Sequence, residues 1–203
     1  MAVTHSHFTT LEQEHEAAQL GMWIFLATEV MLFGGLFTGY SVYRTLYPDG
    51  FAAGSRRLDL TLATINTLLL IVSSGVMALA VSRARRDQHE RLRLLLGVTA
   101  LLGTAFMAIK AVEYQHHFAE GLVPGLAWYY AGPLAAEVQL FMLAYFLMTG
   151  LHAVHLSVAI GLVVWLALGR TRAMAIEMTG LYWHFVEMIW VFLLPLLYLY
   201  GVR

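Results

Sequence analysis

An acid and a base stand one helical turn apart in one of the most apolar stretches of the chain. His184 and Glu187 lie in TGLYWHFVEMIWVFLLPLLYLYG, residues 179–201. A spacing of three residues places both side chains on one face of a helix. An imidazole and a carboxylate in this arrangement can hold a proton between them or hydrogen-bond to neighbouring helices. What such a pair does in so apolar a stretch depends first on the solvent that surrounds the segment.

Two further histidines raise a different chemistry, metal or haem ligation. His152 and His155 lie three residues apart in TGLHAVHLSVAIG, and His184 supplies a third imidazole. Haem and copper sites in helical bundles need ligands that converge at one depth. Histidines at this spacing more often hydrogen-bond to neighbouring helices, so the pattern favours packing over ligation. The sequence has no cysteine and no HExxH, GxSxG, Walker or GxGxxG motif, which excludes thiolate sites and offers no nucleophile–base pair.

Two other positions place charge in apolar surroundings. Glu29 lies within GMWIFLATEVMLFGGLFTGY, where an unpaired charge costs several kcal/mol. It is either a proton-active or ligand-facing carboxylate, or a buried acid that fixes helix packing. Lys110 and Glu113 in AIKAVEYQHH are expected to form an ion pair at the membrane interface, where a long side chain reaches water cheaply.

The elements that must position these residues are membrane helices. Of the 203 residues, 60% are hydrophobic and 12% are charged, against about a quarter charged in soluble domains. Five apolar segments are long enough to cross about 30 Å of hydrocarbon. The sequence predicts an all-α bundle of five transmembrane helices, over Gly21–Tyr43, Leu62–Val81, Leu92–Val112, Val138–Leu168 and Leu181–Tyr200.

The ends of the chain and its loops predict the topology. Residues 1–20 form a polar tail without Lys or Arg, which is not a signal peptide, and TTLEQE can start a short interfacial helix. Residues 21–203 are expected to form one domain. Arginines are densest between spans two and three and recur between spans four and five, which predicts a cytoplasmic N-terminus and a periplasmic C-terminus. They are Arg83, Arg85, Arg86, Arg91, Arg93, Arg170 and Arg172.

Several stretches in order along the chain resemble a known family, subunit III of the haem–copper cytochrome c oxidases. The segment around Glu29 looks like the family's helix with a buried glutamate, and the histidine-rich and tryptophan-rich signatures are the most specific of the matches. The stretches are ATEVMLFGGLF, INTLLLIVSSGVMALA, AVEY, TGLHAVHLSVAIG and LYWHFVEMIWVFL. The number of spans resembles the short, five-span bacterial form of the family.

This resemblance implies an accessory, non-catalytic subunit of a respiratory terminal oxidase in the bacterial cytoplasmic membrane. Haem and copper would be held by partner subunits and not by this chain, which would pack on the catalytic subunit I, hold phospholipids and support proton uptake. The resemblance also implies that His184 and Glu187 belong to a buried polar network that ties the last helix to its neighbours, with Glu29, His152 and His155 as candidate partners. Arg172 lies near a position where some relatives have histidine, and it is the candidate for contacting a lipid headgroup.

Two alternatives stay open at this point. Some five-span relatives accompany nitric oxide reductases and others belong to quinol oxidases, and the motifs do not separate these partners. The second alternative, from the three imidazoles, is a self-contained membrane protein that binds haem or transports a solute.

Overall fold

Five long helices follow the five apolar segments, in a computed structural model that describes residues 11–86, 88, 91–169 and 173–202. They are α1 Leu11–Leu46, α3 Leu60–Arg85, α4 Leu92–Ala119, α5 Ala135–Leu168 and α6 Ala173–Tyr198. Each is long and apolar enough to cross a membrane. The predicted all-α bundle of five transmembrane helices is therefore confirmed.

Most of the helices run past the ends of the apolar segments that predicted them. At 1.5 Å per residue, the 36 residues of α1 extend about 54 Å, well beyond the hydrocarbon layer. The helix begins at Leu11, so the described part of the polar tail continues the first span without a break. Hydropathy marks where apolar residues stop, whereas backbone hydrogen bonds carry a helix on into the polar interface. The division into a tail and a helical domain stays a prediction.

Two small elements lie in the connections. Helix α2, Pro48–Ser55, joins the first two spans and has its proline in the first turn, where the missing N–H costs nothing. A two-stranded hairpin, β1 Leu122–Val123 and β2 Ala127–Trp128, follows α4. Its turn contains Gly125 at φ +80°, and Gly121 ends α4 at φ +69°, both in the left-handed region that glycine adopts without strain.

Helices α3, α4, α5 and α6 pack as a ring in which each contacts its two neighbours. Helix α1 lies outside this ring against α5 and α6. In their most apolar windows, 56% of α6 but only 11% of α1 is buried within the chain. The polar residues of α6 are consequently the ones that meet several neighbouring helices.

The packing relies on close approaches as well as on large side chains. Trp183 and Trp190 of α6 are fully buried in the core. A Cβ atom on Gly103 of α4 would lie 2.7 Å from the Trp183 ring, and one on Gly54 of α2 would lie 2.4 Å from the Phe141 ring. These glycines let neighbouring helices seat against aromatic rings.

The end of α6 is held by side chains from the first two helices. The last carbonyls of a helix have no partner within it. Tyr40 donates its hydroxyl to the Leu196 carbonyl at 2.9 Å, and Ser55 donates to the Leu197 carbonyl at 2.6 Å. These bonds connect α1 and α2 to the terminus of the most buried helix.

Candidate functional site

The polar residues singled out in the sequence form separate clusters instead of one network. Glu29 pairs with His155 between α1 and α5, which we call the Glu29 pair. Glu187 and His184 join residues of α3 in what we call the Glu187 cluster. Lys110 and Glu113 join tyrosines of α5 and α6 in the Lys110 cluster. Each cluster ties together helices that are distant in sequence.

The Glu29 pair shares a single bridging proton. His155 Nε2 lies 2.9 Å from Glu29 Oε2, and His155 Nδ1 lies 2.8 Å from the Leu151 carbonyl oxygen. A carbonyl only accepts, so Nδ1 carries a hydrogen and the bridging proton resides on Nε2 or on the carboxyl group. Either placement gives the pair zero net charge, which avoids an isolated ion in the membrane. Both side chains are 14% exposed, so the carboxyl group does not face lipid unpaired.

The Glu187 cluster connects the middle of α6 to two consecutive serines of α3. Glu187 Oε1 accepts from Ser73 Oγ at 2.5 Å and from Trp183 Nε1 at 2.7 Å. His184 Nδ1 lies 2.9 Å from Ser74 Oγ and 3.4 Å from Glu187 Oε2. Ser73 Oγ also lies 2.8 Å from the Leu70 carbonyl oxygen, so its single hydrogen is given either to that oxygen or to Glu187 Oε1. Oε2 is the carboxyl oxygen that faces the imidazole. The acid and the base of the opening motif are therefore adjacent and oriented.

The Lys110 cluster is buried, where the sequence led us to expect a solvated pair at the interface. Lys110 Nζ lies 3.0 Å from Glu113 Oε2, and the two residues are 5% and 2% exposed. Nζ also donates to the hydroxyls of Tyr145 and Tyr198, at 3.0 and 2.9 Å. These tyrosines in turn donate to Glu113 Oε1, at 2.8 and 2.7 Å. Burial is tolerated because the charges are opposite, adjacent and fully hydrogen-bonded.

His152 takes no part in any cluster. It is buried against the rings of Phe106 and Trp190, at 5.7 and 5.4 Å between centroids, and neither ring nitrogen has a hydrogen-bond partner among the described residues. Among the described residues no group of three or more His, Cys, Asp or Glu side chains could hold a metal ion. The three imidazoles that suggested a haem or copper site thus contact different neighbours.

Sequence reasoning missed the serine and tyrosine partners. Ser73 and Ser74 carry no local sign of a role, because serine within a membrane helix commonly bonds its own backbone. Tyr145 and Tyr198 lie toward helix ends, where tyrosine is typical of the membrane interface. Burial of Glu113 would have been the signal that such donors were required. Arg172, the lipid-headgroup candidate, lies outside the described residues, as does the start of the TTLEQE segment.

Comparison with known proteins identifies the family. The family described as "Cytochrome c oxidase subunit III" matches residues 2–202. The chain is 28% identical to the probable quinol oxidase subunit 3 of Staphylococcus haemolyticus, with 98% of each chain covered. It is 33% identical to the cytochrome c oxidase subunit 3 of Synechocystis, with 88% of this chain and 74% of the relative covered. The chain, a multi-pass membrane protein, therefore belongs to the cytochrome c oxidase subunit III family of haem–copper oxidases.

Proposed function

We propose that this chain is an accessory subunit of a respiratory haem–copper oxidase, in which other subunits hold haem and copper and reduce dioxygen. The observation that carries this proposal is the pairing of acidic with basic side chains in the Glu29 pair and the Lys110 cluster. These groups bond across helices, and within the described residues neither cluster forms an open site for a substrate. A full-length family match supports the same role.

The placement of the histidines favours this role over a self-contained haem protein. His155 is engaged by Glu29, and His184 is engaged by Ser74 at 2.9 Å. His152 is enclosed by aromatic rings and lies apart from both. A bis-histidine haem needs two imidazoles that face one cavity from opposite sides. These three are committed to different neighbours.

The Glu29 pair is proposed to secure the loosely attached first helix. Helix α1 buries little of its surface within the chain, so each hydrogen bond to the other helices makes a large contribution to holding it in place. We propose that this pair maintains the subunit interface through repeated turnover and supports proton uptake by the complex. It does not carry every proton that the complex consumes.

Lipid contacts form part of the same proposal. An apolar groove of about 220 Å³ runs between α1, α2 and α5, with a lining that includes Gly39, Leu143 and Met148. Such a lining suits an acyl chain of a phospholipid. Arg172 is proposed to contact a headgroup.

The complex is proposed to lie in the bacterial cytoplasmic membrane with subunit I as the main partner. The arginines of the loop after α3 support a cytoplasmic N-terminus for this chain. Relatives named as quinol oxidase and as cytochrome c oxidase subunits support either electron donor.

Purification of the complex through an affinity tag on this chain tests the proposal. Mild detergent should recover a haem–copper subunit and dioxygen reduction with the chain. Oxidation of a quinol or of reduced cytochrome c by that preparation identifies the donor. A preparation that reduces nitric oxide but not dioxygen would replace the oxidase with a nitric oxide reductase. Recovery of the folded chain alone from mild extracts would contradict the accessory role.

A further inference from the structure

His184 is an ionisable side chain that lies near the middle of the membrane-spanning helix α6 and is partly uncovered. Along α6 it is about 16 Å from Ala173 and about 21 Å from Tyr198. Its side chain is 36% exposed, compared with 14% for Glu29 and His155 and 8% for Glu187. At that depth the surroundings of an isolated chain are hydrocarbon, where an exposed polar group is costly.

One nitrogen of this imidazole has no hydrogen-bond partner within the described residues. Nδ1 is used by Ser74 and Glu187, at 2.9 and 3.4 Å. In the part of the chain that the structure describes, no hydrogen bond engages Nε2. Whichever tautomer is present, Nε2 is a donor or an acceptor that needs a polar group opposite it.

His184 lies in a groove of about 480 Å³ between α3 and α6, which we call the α3–α6 groove. Its lining includes the apolar side chains of Ile71, Met188 and Val191, together with Thr67 and Trp190. An acyl chain would fill the apolar part of the groove but would leave His184 Nε2 without a hydrogen-bond partner in hydrocarbon. A helix that carries a polar side chain would satisfy both.

The wall of the groove allows close approach of a second helix. Ser74 and Gly75 of α3 line it, and a Cβ atom built on Gly75 would meet nothing within 4 Å. Small residues of this kind let the backbones of membrane helices approach closely. The glycine is not needed for packing inside this chain, in contrast to Gly103 and Gly180, where a Cβ atom would lie under 3.0 Å from a side chain.

The groove continues into a polar pocket of about 470 Å³ at the end of α3. His184 lines both, and the pocket also contains Ser82, Arg85 and Arg86. Glu177 bonds Arg85 at 3.0 Å, whereas Arg86 has no acidic partner among the described residues. The surface therefore offers a hydrogen-bonding group at mid-membrane depth and a positive charge at its end.

We propose that the α3–α6 groove docks a transmembrane helix of another subunit. The helix that fits carries a hydrogen-bonding side chain opposite His184 and an acidic or polar residue near Arg86. This inference rests on the proposed function, because it names the face by which the chain joins its complex. The observations favour a protein helix over a lipid, since only the former supplies a polar partner at the depth of His184.

Site-specific photo-crosslinking in native membranes tests the proposal. A benzophenone amino acid replaces Met188, which is 56% exposed on the groove, or Leu101 of α4, a control that is 67% exposed on another face. We expect a protein adduct from position 188 that is at least tenfold more abundant than that from position 101. Lipid adducts alone at position 188, or equal protein adducts at both positions, would overturn the inference.

The identity of the adduct separates this inference from the proposed function. A protein adduct from position 188 to a chain outside any haem–copper oxidase would support the groove and contradict the oxidase role. A haem–copper subunit that crosslinks from position 101 and not from 188 would contradict the groove and support the role.

Substitutions at His184 supply a second measurement. His184→Phe should lower the fraction of the chain that co-purifies with its partner by about threefold to tenfold, the usual strength of a hydrogen bond between membrane helices. His184→Gln, which can still bond, should recover most of the loss. Equal co-purification of both variants with the unaltered chain would overturn the inference. If His184→Phe fails to accumulate in membranes, the comparison of protein adducts from positions 188 and 101 decides whether the groove docks a helix.

Discussion

Replacing Lys110 with methionine removes the positive charge from a cluster of four buried side chains. Nζ donates to Glu113, Tyr145 and Tyr198 over 2.9 to 3.0 Å, and Glu113 is 2% exposed. Lys110→Met therefore leaves a buried carboxylate that is hydrogen-bonded to two tyrosine hydroxyls and lies 3.9 Å from the imidazole of His117. Removal of one partner from a buried ion pair costs about 3–5 kcal/mol. We expect the free energy of unfolding of the purified chain to fall by that amount.

A double variant separates the loss of the charge pair from the loss of packing. In Lys110→Met/Glu113→Gln the amide oxygen still accepts from the two tyrosines and no charge is buried. The double variant should be more stable than Lys110→Met alone by about 2 kcal/mol, because an apolar or neutral replacement of a buried pair costs little.

The assay is unfolding in mixed micelles titrated with sodium dodecyl sulfate, followed by circular dichroism. Arg85→Gln is the control, since Arg85 pairs with Glu177 at 3.0 Å but is 62% exposed. Such a pair contributes about 0–1 kcal/mol. The reasoning would be refuted if Lys110→Met lowered the free energy of unfolding by no more than the control does. It would also be refuted if the double variant were less stable than Lys110→Met.

Three further predictions concern packing, topology and turnover. Gly54→Ala should lower the free energy of unfolding by about 1–3 kcal/mol, because its Cβ would lie 2.4 Å from a phenylalanine ring of α5. Gly97→Ala is the control, since a Cβ at that position would meet nothing within 4 Å. Equal losses for both variants in the same assay would contradict the packing described. The chain has no cysteine, so single cysteines introduced by Gln88→Cys and Leu126→Cys report the membrane topology. An impermeant maleimide added to intact spheroplasts should label the Leu126→Cys variant only. Labelling of the Gln88→Cys variant only would show the opposite orientation. Glu29→Gln retains a hydrogen bond to its imidazole partner, so we expect a near-normal initial rate of dioxygen reduction that decays faster over repeated turnover; immediate loss of activity with an intact complex would reject an accessory role.

The sequence predicted the helices because long apolar runs have few alternatives in a membrane. It also predicted the adjacency of His184 and Glu187, since a spacing of three fixes their mutual position on one helix. The same local logic paired Lys110 with Glu113 at 3.0 Å.

Contacts between helices could not be predicted in this way. The resemblance made Glu29, His152 and His155 candidate partners of His184 and Glu187, yet the structure divides these residues among different neighbours. Helix spacing says which residues share a face and not which helix lies opposite that face. Lys110 looked solvated because it lies near the end of an apolar run. It is buried because α4 continues to Ala119 and tyrosines of α5 and α6 close over it.

The most direct test of the central claim is the absorption spectrum of this chain after separation from its complex. We predict that the complex shows a haem Soret band and that the separated, folded chain shows none, because His155 is engaged by Glu29, His184 is engaged by Ser74 and His152 is enclosed by aromatic rings. A Soret band that remains with the separated chain, and disappears on substitution of His152, His155 or His184, would contradict it.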